Sequence, residues 1–403
     1  MTSAFPKDWK LELLDDVARR GSGHTPNRKV ASYWNGGVKW VSLADSNKLD
    51  RVMICDSEHE ISEDGIANSS AVLHPAGSVL VSRDAGVGKS AVMGSQMAVS
   101  QHFITWTCGP KLHNFYLYYW LQRAKPIFER MAVGSTIKTI GLSFFEKLEI
   151  PVPPLCEQKA IAEVLLCWDT SIHKREALVA AEVERKRGLM QRLLTGQIRF
   201  DGFKEKWKNC RLGDVVEAIS RPVDWNEDEL YHLASVRRNS GGVFAREQLY
   251  GHQIKVKKLQ TICAGDFLVS HIQAAYGAMT LVPKEFDGAK VSDLYSVLRP
   301  KDPKAFDIRF LGYLGQTKRM WYMAIQASNG FFAERLRLNF DPDEFLHLPV
   351  NIPPTLAEQK KIADVLQTCD REIELLQKLL EALKEQKRGL MQKLLTGEVR
   401  VKV

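Results

Sequence analysis

The sequence predicts an α+β protein with a pseudo-two-fold internal duplication: two tandem, strand-rich domains separated by two long antiparallel (coiled-coil) helices. Three observations predict it. Segments recur 201 positions apart in a chain of 403 residues. A Pro-Pro pair precedes each of two polar–apolar stretches of about forty residues. Short strand-forming runs between Gly, Ser and Asn turns fill the segments ahead of them.

The duplication is plain in the residues. Glu157-Gln158-Lys159 recurs as Glu358-Gln359-Lys360, and Lys186-Arg187-Gly188-Leu189-Met190-Gln191 as Lys387-Arg388-Gly389-Leu390-Met391-Gln392. Leu193-Leu194-Thr195-Gly196 recurs as Leu394-Leu395-Thr396-Gly397. Weaker matches keep the same order. Trp9-Lys10 with Leu14, Asp16 and Val17 returns as Trp207-Lys208 with Leu212, Asp214 and Val215. Leu80-Val81-Ser82 returns as Leu268-Val269-Ser270, and Phe103 as Tyr295. The implied division is 1–152, 153–200, 201–352 and 353–403.

In the first domain, Val38–Leu43 and Ser78–Val81 read as strands and Phe115–Met131 as a helix. Pro153-Pro154 then blocks backward extension of a helix that Gly196 can cap. Its stripe is Ile161, Leu165, Trp168, Ile172, Val179, Leu189 and Leu193, interrupted by Arg175, Glu182 and Lys186. In the second domain Phe267–Val269 reads as a strand and Phe306–Ala327 as helical. After Pro353-Pro354 the second stripe runs Ile362, Leu366, Cys369, Ile373, Leu376, Leu380, Leu383, Leu390 and Leu394, broken only at Lys387. One such stripe would be read as burial against its own domain; two matched ones favour mutual pairing. Gly188 and Gly389 predict a kink or a close crossing, since each costs about 1 kcal/mol against alanine.

Composition narrows the function classes. Hydrophobic residues make up 45%, enough for real cores, and the formal charge of +8 is a modest basic bias. No run approaches the roughly 18–20 apolar residues of a membrane helix, and Met1–Lys10 has no secretory signal. The seven cysteines form no C-x-x-C pair and read as reduced thiols of a cytoplasmic protein. The ten histidines show no metal spacing. Gly86-Val87-Gly88-Lys89-Ser90 tempts a P-loop reading, but that pattern needs glycine where Arg83 stands. Asn351-Ile352-Pro353-Pro354 lacks the aromatic of an amino-methyltransferase loop, and Asp302-Pro303-Lys304 resembles a nuclease D-x-K only as a tripeptide common by chance.

Two similar halves with unlike tips suit a duplex with two different half-sites. After the shared strand, the first half continues Arg83-Asp84-Ala85-Gly86-Val87-Gly88-Lys89 and the second His271-Ile272-Gln273-Ala274-Ala275-Tyr276-Gly277. Arginine can grip guanine bidentately and glutamine adenine. The candidate DNA-contacting residues are Arg83, Lys89, Gln101, Lys138, Arg237, Arg238, His271, Gln273 and Arg335. Any one of these clusters can equally be a solvated face.

At this point the chain resembles, over essentially its whole length, the specificity (S) subunit of type I restriction–modification systems. The resemblance rests on Trp9-Lys10, Gly23-His24-Thr25-Pro26 with Tyr33-Trp34 and Trp40-Val41-Ser42, Gly134-Ser135-Thr136, and both Pro-Pro…Glu-Gln-Lys helices with Leu-Leu-Thr-Gly ends. It implies two target-recognition domains, each reading one half of a bipartite, asymmetric double-stranded DNA target. It implies that the helices, Pro153–Gly196 and Pro353–Gly397, set the spacer. It also implies docking of two methyltransferase (M) subunits and, for restriction, two translocase-nuclease (R) subunits. The chain itself would hold no cofactor and do no chemistry. The second domain departs from the pattern, with Ser220-Arg221-Pro222-Val223 near the place of Gly23–Pro26. Two alternatives stay open: an enzyme using the Gly-Lys-Ser segment as a nucleotide site, and a protein scaffold whose coiled coil is the active part.

Overall fold

The computed structural model describes residues 5–135, 138–329 and 339–402. By its contacts the chain forms two compact units, Met1–Leu178 with Gln377–Val403, and Val179–Leu376. Each therefore combines a mixed domain, the start of the helix that follows it and the end of the other helix. No described helix is long and apolar enough to cross a membrane.

In the first unit Lys10–Leu13 pairs antiparallel with Glu149–Val152, joining the two ends of the domain. A five-stranded sheet has the order Ala18–Ser22, Phe103–Cys108, Val79–Ser82, Ser90–Met93, Met53–Ile54. A four-stranded sheet has the order His59–Ile61, Trp34–Val41, Met97–Val99, Leu73–His74, with one parallel pair at Trp40 and Ala98. Every residue of Val79–Ser82 and of Ser90–Met93 is buried, which is why these runs are apolar without alternation. The strand expected over Val38–Leu43 ends at Val41, because Ser42 and Asp45 close a capping box that starts a turn.

The second unit repeats the order. Lys208–Arg211 pairs with Pro349–Ile352. One sheet runs Val216–Ile219, Tyr295–Pro300, Phe267–Ser270, Met279–Leu281, and the other Val243–Tyr250, Leu230–Val236, Lys290–Ser292, Leu259–Thr261. Even the register is kept. Phe103 sits opposite Ser82 in the first domain and Tyr295 opposite Ser270 in the second. The domain helix is one piece in the first half, Asn114–Met131. In the second it is Ile308–Leu314 and Lys318–Gln326, where one helix was expected. The break falls at Gly315, packed on the Phe267 ring, and Thr317, whose side chain accepts the Met320 N–H as a cap.

The long helices are Leu155–Leu193 and Leu356–Leu394. Gly196 (φ 70°) and Gly397 (φ 73°) are left-handed just past their ends. There Ile198 N–H reaches Arg192 O and Val399 N–H reaches Lys393 O, as a glycine C-cap requires. Ile161 and Leu165 are buried in the first domain's core together with Leu394 and Leu395. Ile362 and Leu366 are buried in the second together with Leu193 and Leu194. Each such side chain contributes roughly 1.5–3 kcal/mol, so both ends of both stripes are domain core.

Between these ends the helices are linked by polar groups. In the first unit Asp169 accepts from Lys387 Nζ (2.6 Å) and Tyr119 OH (2.6 Å), and Lys384 pairs with Glu176 (3.0 Å). The segments are therefore antiparallel. In the second unit Asp370 accepts from Lys186 Nζ (2.6 Å) and Tyr313 OH (2.8 Å), and Arg185 pairs with Glu372 (2.6 Å). The lysines that interrupt the apolar stripes are thus the residues that tie them. Gly188 and Gly389 do not mark the expected kink or crossing. The helices run unbroken through them, and a Cβ at either would meet no atom within 4 Å. Lys387 faces Asp169, and Gly389 lies two residues on, roughly 200° around the helix.

The repeated Glu-Gln pair fastens each helix to its domain. Glu157 is buried and accepts from Trp9 Nε1 (3.1 Å) and Arg400; Glu358 accepts from Trp207 Nε1 (3.2 Å) and Arg199 (2.8 Å). Gln158 accepts the His113 N–H and donates to Lys111 O and Pro153 O. Gln359 makes the matching bonds with Asp307 N–H, Ala305 O and Pro353 O.

Candidate nucleic-acid interface

In the first domain the loop between Val79–Ser82 and Ser90–Met93 is a tight hairpin closed by Ser82 N–H to Lys89 O (2.8 Å) and Gly88 N–H to Ser82 O (2.9 Å). Its turn puts Ala85 (φ 27°), Gly86 (φ 103°) and Gly88 (φ 81°) at positive φ, which explains the glycines. Asp84 accepts a hydrogen bond from His102 Nδ1 (2.7 Å), and its other oxygen, buried and without a hydrogen bond among the described residues, lies 3.9 Å from Arg83 Nε. Arg83 does not project from the tip. Its N–H donates to His102 O, its carbonyl accepts from Ile140 N–H, and its Nε donates to Ile140 O (3.1 Å).

Lys89 and Lys138 line one cavity, while Gln101 and Arg83 are linked through His102 and Asp84. Gln101 is exposed and accepts from Thr25 Oγ1 (2.5 Å). Lys89 Nζ donates to Ser46 O (2.9 Å). Lys138 is exposed beside Thr139, which bridges to Asp84. The Gly23–Pro26 turn is fixed by close approach. A Cβ on Gly23 would lie 1.7 Å from Val99 O, and Trp40 Nε1 donates to His24 O (3.0 Å). In the second domain Ser220–Val223 is held differently, with Arg221 paired to buried Asp266 and Pro222 bridged to Gln260.

In the second domain the loop after Phe267–Ser270 meets the hairpin tip after Leu230–Val236. Asn239 N–H donates to Tyr276 O (2.8 Å) and Ser240 N–H to Gly277 O (2.9 Å). The contact gathers Arg237, Arg238, His271 and Gln273. Arg237 stacks on the Phe244 ring (4.5 Å) and Arg238 on Tyr276 (4.8 Å). Both are exposed, and neither has an ion-pair partner among the described residues. The Gln273 side-chain amide is bonded to no described residue, while the Gln273 backbone carbonyl accepts from Tyr276 and Ala278 N–H. His271 is half-buried, bonded to Ser296 Oγ (2.8 Å) and tilted on Phe340; burial lowers its pKa. Arg335 lies outside the described residues.

Sequence reasoning missed the His102–Asp84 bond, the Thr25–Gln101 bond and the aromatic platforms under Arg237 and Arg238. Most join residues far apart in the chain, and the Arg237–Phe244 pair forms only once its hairpin has set the register. The Gly86–Ser90 segment leads into the buried strand Ser90–Met93, so it lacks the helix N-terminus that holds phosphates in a P-loop. Among the described residues no group of three His, Cys, Asp or Glu could hold a metal ion.

The arrangement defines a class: a tandem binding protein with one scaffold used twice and a different polar face on each copy. The profile of the type I restriction modification DNA specificity domain matches residues 6–181 and 204–385, and the chain belongs to that family. It is 25% identical over 432 aligned positions to the type I restriction enzyme MjaVIII specificity subunit of Methanocaldococcus jannaschii, covering 98% of this chain and 94% of that relative. It is 27% identical over 234 positions to the MjaIX specificity subunit of the same organism, where the match spans about half of each, 54% and 53%. In fold it is similar to the crystal structure of a type I restriction-modification S subunit from M. genitalium, with a TM-score of 0.58 at 13% identity over 98% and 97% of the two chains.

Proposed function

We propose that this chain is the non-catalytic DNA specificity subunit of a type I restriction–modification complex. Each domain reads one half of a bipartite, asymmetric target, and catalysis resides in partner subunits. The observation that carries this reading is the pairing of one topology with two unlike tips, on a chain whose two halves both match the DNA specificity domain. A kept scaffold with altered loops is what two different half-sites require.

Within it the roles divide by how firmly each side chain is held. Arg237, Arg238 and Gln273 carry uncommitted donors on the second domain and are its reading residues. Gln101, Lys89 and Lys138 present the polar face of the first. Arg83 and His271, each bonded to a neighbouring segment of its own domain, position the backbone beneath. The lysines and arginines supply phosphate contacts that fix register. The domains are 1–152 and 201–352. The helices of 153–200 and 353–403 pair as an antiparallel coiled coil, set the gap between half-sites and dock two methyltransferase subunits. Two translocase-nuclease subunits join in the restricting complex, in the cytoplasm.

The test is to co-express the chain with its methyltransferase subunits and map methylated positions across the genome. A split motif, two short unlike halves around a fixed gap, is the expected result. A soluble, assembled complex that modifies no motif would overturn the reading.

A further inference from the structure

The first domain carries a cationic cavity whose lysines the second domain does not keep at the matching positions. It measures about 490 Å³ and is lined by Ala85, Gly86, Val87 and Lys89 of the hairpin, Lys125 and Glu129 of the helix Asn114–Met131, and Lys138. The N–H groups of Ala85, Gly86 and Val87 find no acceptor among the described residues. They are successive donors on a turn with positive φ at Ala85 and Gly86, the backbone form that makes anion-binding concavities. Lys89 is bonded to a neutral carbonyl, so its charge is uncancelled. Lys138 has no described partner, and Lys125 is paired with Asp50 (2.7 Å). The one carboxylate on the lining, Glu129, is exposed.

The second domain shows what the same hairpin looks like without this feature. The closing bond Ser82 N–H to Lys89 O has its counterpart in Ser270 N–H to Ala278 O, so a buried alanine stands where Lys89 does. Gly88 packs on the Lys125 stem, where a Cβ would lie 2.8 Å from Lys125 Cγ. The matching Gly277 packs on the Trp321 indole, where a Cβ would lie 2.3 Å from Cε2. Both cations have been exchanged for apolar groups, and the indole occupies the place of the lysine.

We propose that Ala85–Lys89, with Lys125 and Lys138, is a phosphate cradle that grips one DNA backbone phosphodiester in the first half-site only. The cradle anchors the first domain without reading bases. This rests on the DNA-specificity reading above and deepens it. Glu129 sets a sign: its charge opposes the phosphate, so removing it must strengthen the grip.

The experiment uses the full chain assembled with its methyltransferase subunits and a duplex carrying the mapped target, with affinity measured across a salt series. K89Q and K138Q should each weaken binding about three- to tenfold near 0.1 M salt and flatten the log–log salt slope by about 1. The mapped motif should stay the same in both halves. E129Q should tighten binding. Lysine variants with unaltered affinity and slope, or an altered base preference in the first half, would overturn the cradle while leaving the specificity reading intact. Millimolar ATP bound by the wild-type chain and lost in K89Q, with no change in DNA slope, would assign the cavity to free nucleotide phosphates and overturn it too. A wild-type complex that binds no duplex would overturn both readings.

Discussion

Gln158 and Gln359 show what a single buried amide can hold together. Each is at most 1% exposed, accepts one backbone N–H and donates to two carbonyls at the junction of domain and helix. Gln158→Leu strands those groups, and a buried unsatisfied group costs about 1–3 kcal/mol. We expect a loss of about 3 kcal/mol in denaturant unfolding; a loss within error would mean that water replaces the amide. The repeat exposed the Glu-Gln pair in the sequence but not its partners, because Trp9 and Arg400 lie 148 and 243 residues from Glu157. Arg83 illustrates the opposite failure. Its place after a strand suggested a tip residue, whereas its guanidinium is turned to Ile140, a contact that spacing cannot reveal. Three histidines add a pH dependence. Burial lowers the pKa of His74, His113 and His271, so the fold favours their neutral form. The unfolded chain takes up protons below about pH 6.5 that the folded chain excludes. Their contribution is full above that pH and is lost as pH falls toward the lowered folded values. The melting temperature should drop between pH 7 and 5.5, and the drop should be shallower in His271→Gln. A pH-independent melting temperature across that window would show that these rings are solvated.

At the scale of elements, the long helices were the most legible part of the chain. Their starts after proline, their glycine caps and their stripes all depend on local spacing. What the stripes pack against was not legible. The ends became domain core, and Lys186 and Lys387, which look like flaws in the seam, bridge to Asp370 and Asp169. Burial raises the pKa of the Tyr119 and Tyr313 phenols, helped by the carboxylate that each one bonds; both therefore stay protonated donors. The domain helix was legible in the first half, despite Pro126 within it. It was misjudged in the second, because the fit of Gly315 on Phe267 is a tertiary fact. The two mid-helix glycines give a clear test. Gly188→Ala and Gly389→Ala place a methyl in open space, so each should stabilise the chain by up to about 1 kcal/mol. Thermal melts that fall instead would show a close neighbour at these positions. A rise in stability joined to weaker assembly with the methyltransferase subunits would identify the glycines as places of close backbone approach by a partner.

For the molecule as a whole, duplication makes the halves separable experiments. The two tips belong to different compact units, so a substitution at one is expected to disturb only the loops of its own domain. Arg237 and Arg238 are the cleanest place to use this. Their guanidinium groups lie on Phe244 and Tyr276, exposed and pre-oriented, so little rotamer freedom remains to be lost on contact. Replacing both with glutamine removes two charges and the bidentate fork but leaves the sheet and the Asn239–Tyr276 backbone bond in place. If they read base edges, each loses about 1–3 kcal/mol of discrimination. One half of the methylated motif should then relax or change while the other half and the gap persist. If they contact phosphate alone, the motif stays whole and only the salt slope falls. Equal change in both halves would contradict the assignment of one domain to one half-site.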